Sequence, residues 1–232
     1  MNRDVGKAIH HYDMISHGDR ILVGISGGKD SLTLLSVLNE RLSRIPITYK
    51  LFPVYIDPGF PDSFADPLYD FLRVKNFELR VENTDYGIQA HSETNLENPC
   101  FLCSRLRRKR IFEVADELGC SKIAFGHHKD DIIETFFLNL CYAGNISTMR
   151  PVQPFFKGKI SIIRPLAYVE EDTIKRFANN KQFPEFINSC PYGEISKRKE
   201  IKEWLDLLYK TNKKIRGNIF RSLKNVNPDY LL

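Results

Sequence analysis

The residues of this chain that could do chemistry cluster at junctions between apolar runs. Ser26–Ser31 reads SGGKDS, directly after RILVGI and directly before LTLLSVLNERL. Paired glycines permit a positive φ and a close approach of backbone to an anion. Amides opening a following helix, with Ser31 beside them, point at that anion, and the helix dipole favours negative charge. Lys29 adds a mobile cation, and Asp30 can hold a metal or orient a reacting group. The stretch is not a Walker loop, which needs G-x-x-x-x-G-K-[ST], because Val23 stands where the first glycine belongs and Asp30 follows Lys29. G-x-G-x-x-G fails as well. The competing reading is a glycine turn with no ligand.

NPCFLCSRLRRKR carries C-x-x-C at the start of a helical pattern. A zinc site would want a second such pair, and the chain has none, since Cys190 stands alone in NSCPYG. A redox dithiol is a second reading, because helix N-termini lower thiol pKa values. A third reading joins Cys100, Cys103 and Cys190 as thiolate ligands of an iron–sulfur cluster, with one iron left open for substrate or sulfide. Cys120 and Cys141 lie in apolar settings and are expected to be inert and buried. AFGHHKDDIIET ends a strand pattern and opens a helix, which brings His127, His128, Asp130 and Asp131 to the carboxyl edge of a sheet. A metal-ligand cluster is one reading of the four, and His127 and Asp131 acting around the anion of the glycine turn is the other. For Asp130 a helix cap is the competing role.

These residues need elements to hold them. The chain of 232 residues is 42% hydrophobic and carries a net charge of +5. That suits an α/β domain with a sizeable core and gives only weak support for a polyanionic partner. SRLRRKR places five cations in seven residues, with further clusters at SKRKEIK and KTNKKIR. Arg105, Arg107, Arg108 and Lys109 point several ways round a helix, so only some of them can meet a polyanion, and a solvated helix face is the competing reading. No apolar run reaches membrane-spanning length, the polar N-terminus does not resemble a secretory signal, and the odd cysteine count fits reduced thiols, so the cytoplasm is the expected compartment. Strand patterns at RILVGI, YKLFPVYI, FELRVEN and SKIAFG alternate with helix patterns at LTLLSVLNERL, Pro67–Lys75, FLCSRLRRKRIFEVADELG and DDIIETFFLNLCY. The alternation predicts a doubly wound, mainly parallel sheet. A loop is expected from Thr84 to Pro99. A β-excursion over FFKGKISIIRPL follows, and a helical C-terminal extension. The expected division is an α/β domain over 1–165 and an extension over 166–232.

SGGKDS resembles the pyrophosphatase loop of the N-type ATP pyrophosphatases, which cleave ATP between its α and β phosphates and adenylate a carbonyl oxygen. Nearly the whole chain resembles one family of that PP-loop superfamily, the tRNA 2-thiocytidine synthetases, or tRNA-cytidine(32) 2-sulfurtransferases. The resemblance runs through VGKAIHHYDMISHGDRI, SGGKDS, DPGFP, PCFLCSRLRR, KIAFGHHKDDIIET, IRPLAYVEED and NIFRSLKNVNPDYLL. It implies an adenine nucleotide alpha hydrolase-like fold, ATP and Mg²⁺. It also implies a [4Fe–4S] cluster on Cys100, Cys103 and Cys190. ATP would be held by Ser26, Gly27, Gly28, Lys29, Asp30, Ser31, Asp57, Gly126 and His127, with catalytic roles for Lys29, Asp30 and Asp131. The implied partners are tRNA, a cysteine desulfurase or other sulfide source, and a second copy of the chain. One segment departs from the family. NSCPYGEISKR is closer to the CPY pattern of the uridine-54 and wobble-uridine thiolases, whereas the absence of terminal zinc ribbons favours the cytidine reading.

Overall fold

The computed structural model describes residues 1–186, 190 and 197–230. Helix α1 (Asn2–His11) leads into β1 (Arg20–Ile25), α2 (Lys29–Leu42), β2 (Lys50–Asp57), α3 (Ala65–Val74) and β3 (Arg80–Asn83). Then come α4 (Tyr86–Ala90), α5 (Pro99–Glu117), β4 (Lys122–Ala124) and α6 (Lys129–Ala143). The hairpin β5 (Val152–Phe155) and β6 (Ile160–Ile163) precedes α7 (Glu171–Asn180), α8 (Lys197–Thr211) and α9 (Ile215–Ser222).

The strands form one sheet in the order β3-β2-β1-β4-β6-β5. Only the β5–β6 pairing is antiparallel. Strand β1 is buried from Ile21 to Ile25, as expected of a strand covered on both faces. Its side chains alternate: Ile21, Val23 and Ile25 join a core with Leu34, Leu35 and Leu38 of α2, while Leu22 joins a second core with Val54, Ile56, Val114 and Ile123. Pro53 is tolerated in β2 because it faces Val23 of β1 and the β3 ladder begins only at Val54. The chain goes from β1 to β2 on one side and returns to β4 on the other. The carboxyl ends of β1 and β4 therefore flank the topological switch point, where doubly wound sheets bind ligands.

Packing divides the chain into two compact units, Met1–His128 with Pro151–Gly193, and Lys129–Arg150 with Glu194–Leu232. The division differs from the expected one at 165. Helix α7 packs on α2 and continues the sheet unit, whereas α6 joins α8 and α9 around Ile133, Ile201 and Leu205. Other departures are local. The expected loop over 84–99 contains α4. Helix α6 begins at Lys129, so Asp130 lies inside its first turn and is not its cap. Cys120 is buried as expected, but Cys141 is exposed. Its neighbours Leu140 and Tyr142 are 40% and 53% exposed, because the last turn of α6 extends past the three-helix core. Among the described residues no helix is long and apolar enough to cross a membrane.

Candidate active site

The turn after β1 is built for an anion. Gly27 has φ +79, and a Cβ there would lie 2.6 Å from the Phe64 ring. At Gly28, the N-cap of α2, a Cβ would meet only Ser26 Oγ, at 3.4 Å. The fold itself leaves room for a side chain at Gly28. Ser31 Oγ donates to the Gly28 carbonyl at 2.9 Å, and the Ser26 amide donates to Ser31 Oγ at 3.1 Å. The loop is thus braced from within. Lys29 Nζ lies 3.4 Å from Asp30 and 3.3 Å from Glu171. A cleft of about 600 Å³ opens beside Gly27–Asp30, with Lys175, Ala178 and Asn179 of α7 and Phe183–Phe186 on its other side. That volume suits a nucleotide-sized ligand.

The neighbouring strand ends contribute unequally. Gly126 follows β4, and a Cβ there would lie 2.8 Å from the Asp30 carbonyl carbon and 2.9 Å from the Ser31 nitrogen. Glycine is what lets the β4 turn pass against the loop. His128, 4% exposed, places Nε2 3.9 Å from Asp30 Oδ1, and His127 packs edge-on against Phe125. Asp57 ends β2 and is 3% exposed. One of its carboxylate oxygens accepts from the Gly59 amide at 2.7 Å and the other from the Ser63 hydroxyl. Its visible task is to fold its own loop.

The C-x-x-C pair lies in the first two turns of α5, where Asn98 caps the helix by accepting from the Phe101 amide. Cys100 and Cys190 come close enough to Cys103 to act on its thiol. The Cys103 thiol is pushed up by burial first, drawn back by the neighbouring Arg107, and raised further by Cys190 and Cys100. Cys190 Sγ also lies 4.0 Å from His91 Nε2. Among the described residues no three His, Cys, Asp or Glu side chains are drawn up tightly enough to hold a single metal ion. A four-iron cube spaces its cysteines more widely than one ion does, and three thiols are the right donor set for it. The Pro191–Tyr192 pair lies outside the described residues.

The cations after Cys103 separate by role. Arg107 hydrogen-bonds Cys103. Arg105 pairs with Glu97 at 3.0 Å and is 54% exposed, Lys109 reaches Glu113 at 3.9 Å and is 75% exposed, and Arg108 is exposed. Arg110 is tied into Glu82, Glu113 and Glu117. The two aspartates of the KDD run belong to the helical unit. Asp130, 6% exposed, pairs with Arg216 at 3.1 Å, and Asp131 lies 3.4 Å from Arg198. Glu171, Lys175 and His91 were not foreseen. The first two fall at i, i+4 spacing in an ordinary amphipathic helix, and His91 ends a helix too short to show a period.

Residues 1–189 match the family described as PP-loop domain. The chain is 39% identical over 231 residues to the tRNA-cytidine(32) 2-sulfurtransferase of Geotalea uraniireducens, covering 98% of this chain and 92% of that one. It is 42% identical over 238 residues to the protein of the same name from Photorhabdus laumondii, covering 100% and 76%. Among solved structures, the U34-tRNA thiolase NcsA from Methanococcus maripaludis with its [4Fe-4S] cluster superposes with a TM-score of 0.80 at 26% identity, over 97% of this chain and 76% of that one. The NH3-dependent NAD synthetase from Campylobacter jejuni, with a TM-score of 0.52 at 16% identity over 96% and 89%, shares the fold.

Proposed function

Because the chain belongs to the PP-loop domain family and, within it, to the tRNA-cytidine(32) 2-sulfurtransferases, we propose that it replaces the C2 oxygen of cytidine 32 in tRNA with sulfur at the cost of ATP. One observation carries the sulfur half of this reading: Cys100 and Cys190 lie close enough to Cys103 to act on its thiol, within the unit that also holds the phosphate loop.

The C2 oxygen of a pyrimidine is a poor leaving group. Its attack on the α-phosphorus of ATP expels pyrophosphate and makes it a good one. The amides of Gly27–Ser31 and the Lys29 ammonium stabilise the phosphate charge, an effect of positioning and electrostatics. Asp30, with His128 beside it, orients the nucleotide or holds Mg²⁺. Asp131 is proposed as a further catalytic residue on the strength of the GHHKDD motif, and its carboxylate lies 3.4 Å from Arg198. The apolar wall of Phe183 and Phe186 suits the face of adenine. The residues fit a [4Fe–4S] cluster, which when bound on Cys100, Cys103 and Cys190 supplies an open iron able to hold sulfide. Arg107 favours the thiolate form of Cys103, the form that ligates iron. Sulfide attacks C2, and AMP departs with the former oxygen. An anticodon-loop base costs little to splay out of its stack, and the exposed cations Arg105, Arg108 and Lys109 face the RNA backbone. The sulfide comes from a desulfurase or an equivalent source, the working compartment is the cytoplasm, and the active form is a homodimer.

The test uses anaerobically prepared protein. Cys100→Ala, Cys103→Ala and Cys190→Ala should each lose iron and 2-thiocytidine formation, while Cys120→Ala and Cys141→Ala keep both. Iron retained by Cys190→Ala would sink the three-thiolate reading. Mass spectrometry of the product nucleosides decides the base, and 2-thiouridine in place of 2-thiocytidine would move the target to a uridine, the direction in which the CPY pattern points.

A further inference from the structure

The phosphate cleft has a second wall that the loop motif does not include. Glu171, Lys175 and Asn179 are spaced i, i+4 and i+8 on α7 and so share one face of that helix. Lys175 and Asn179 line the cleft opposite Gly27–Asp30. Glu171, 8% exposed, bridges the two walls: its Oε1 lies 3.3 Å from Lys29 Nζ and its Oε2 lies 3.3 Å from Lys175 Nζ. Lys175 Nζ is also 4.0 Å from Asp172. We propose that Lys175 is a second phosphate-binding cation of the ATP site, taking the pyrophosphate end of the nucleotide, and that Glu171 is the positioning residue that holds Lys29 and Lys175 over one cleft. This proposal rests on the ATP reading above.

An i, i+4 Glu–Lys pair on a helix surface would by itself mean little. Two features set this one apart. The carboxylate is nearly buried, where an uncompensated charge is costly, and it is shared between two lysines from different helices. Those lysines keep 36% and 49% of their side-chain surface exposed. A lysine is a point charge on a flexible stem, so it can exchange a carboxylate for a phosphate oxygen without moving its helix. The ligand's charge distribution matches. As the bond between the α-phosphorus and its bridging oxygen breaks, charge accumulates on the departing pyrophosphate. The loop amides and Lys29 meet that charge from one wall, and Lys175 meets it from the other.

The experiment is equilibrium binding of magnesium pyrophosphate, ATP and AMP to the full chain by calorimetry. Lys175→Ala should weaken pyrophosphate and ATP binding roughly tenfold, the scale of one charge-assisted hydrogen bond, and leave AMP affinity within about twofold, while Lys175→Arg restores most of the loss. Glu171→Gln should weaken pyrophosphate binding when Lys175 is present and weaken it by less in Lys175→Ala, where only Lys29 is left for it to hold. Wild-type pyrophosphate affinity in Lys175→Ala, alongside its loss in Lys29→Ala, would overturn the proposal and leave the ATP reading standing. Equal losses for pyrophosphate and AMP would overturn the assignment of Lys175 to the pyrophosphate end. Unchanged ATP binding in Lys29→Ala would overturn both readings together.

Discussion

Glu171 in the sheet unit and Asp130 in the helical unit are both nearly buried carboxylates, 8% and 6% exposed, and both stand beside cations. Their partners differ. Glu171 holds two half-exposed lysines on the rim of a cleft. Asp130 holds Arg216, which is 17% exposed and also stacks over Tyr209 with 4.6 Å to the ring centroid. Lysine releases its partner at little geometric cost, whereas a packed guanidinium is fixed by its plane and its neighbours. The same chemistry of paired charge thus lines an open cleft in one unit and a packed arginine in the other. The cores differ as well. The sheet unit buries apolar side chains on both faces of its sheet. Among the described residues the cluster of the helical unit is smaller, with Ile133, Ile201 and Leu205 buried and Phe137, Leu138, Tyr209, Ile219 and Phe220 packed against them.

The hardest way to break this contrast is to remove Arg216. Arg216→Ala leaves Asp130 buried without that counter-charge and removes the contact with Tyr209. A loss on the order of 3 kcal/mol is expected for the helical unit. The single tryptophan of the chain, Trp204, lies on α8 and packs edge-on against Phe137, so its fluorescence in a urea titration reports this unit. ATP binding by the sheet unit should persist below the Trp204 transition. An unshifted transition would mean that Asp130 is not a structural residue and would reopen a ligand role for it.

A smaller effect tests the cations of α5, where the same division recurs within one helix. Arg108→Glu should weaken tRNA binding several-fold and lower the slope of log affinity against log salt by roughly one, the signature of one lost phosphate contact. Arg107 sits against Cys103, so Arg107→Ala should lower iron retention with less effect on that slope. Equal salt slopes for wild type and Arg108→Glu would make Arg108 a solvated residue.

Legibility in the sequence followed the same line. The parallel strands were readable because burial on both faces leaves unbroken apolar runs such as Ile21–Ile25 and because the glycines of SGGKDS punctuate a known kind of turn. The cysteine trio was one of three open readings of the residues, and the family resemblance is what favoured it, since nothing in spacing joins Cys190 to Cys103. The bridge from Glu171 to Lys29 was not readable, because it joins residues far apart in the chain by a tertiary contact between α7 and α2. Cys141 was misjudged for a related reason. Its apolar neighbours predicted burial, but helix α6 runs beyond the small core it packs on. The unit boundary after His128 was hidden as well, because one motif, GHHKDD, is continuous across it.

The finest test concerns Glu134, 4% exposed on α6. Two effects oppose one another there. Arg198 lies 3.2 Å from its carboxylate and favours the charged form. Burial, with the nearby charge of Asp131, disfavours that form and prevails, so the carboxyl group titrates above its usual range. A carboxyl group whose pKa is raised by folding binds more protons in the folded chain than in the unfolded one. Its contribution to stability is therefore largest below the unfolded pKa of about 4.3 and declines as pH rises through the folded value. Glu134→Gln removes that decline. The variant's helical unit should be more stable than wild type at pH 7, and the advantage should shrink as pH falls toward 4.3. Arg198 keeps Asp131 at 3.4 Å and Thr135 at 3.1 Å as partners in either case. A Trp204 transition that moves to lower urea in Glu134→Gln at pH 7 would show that the Arg198 contact outweighs burial at Glu134.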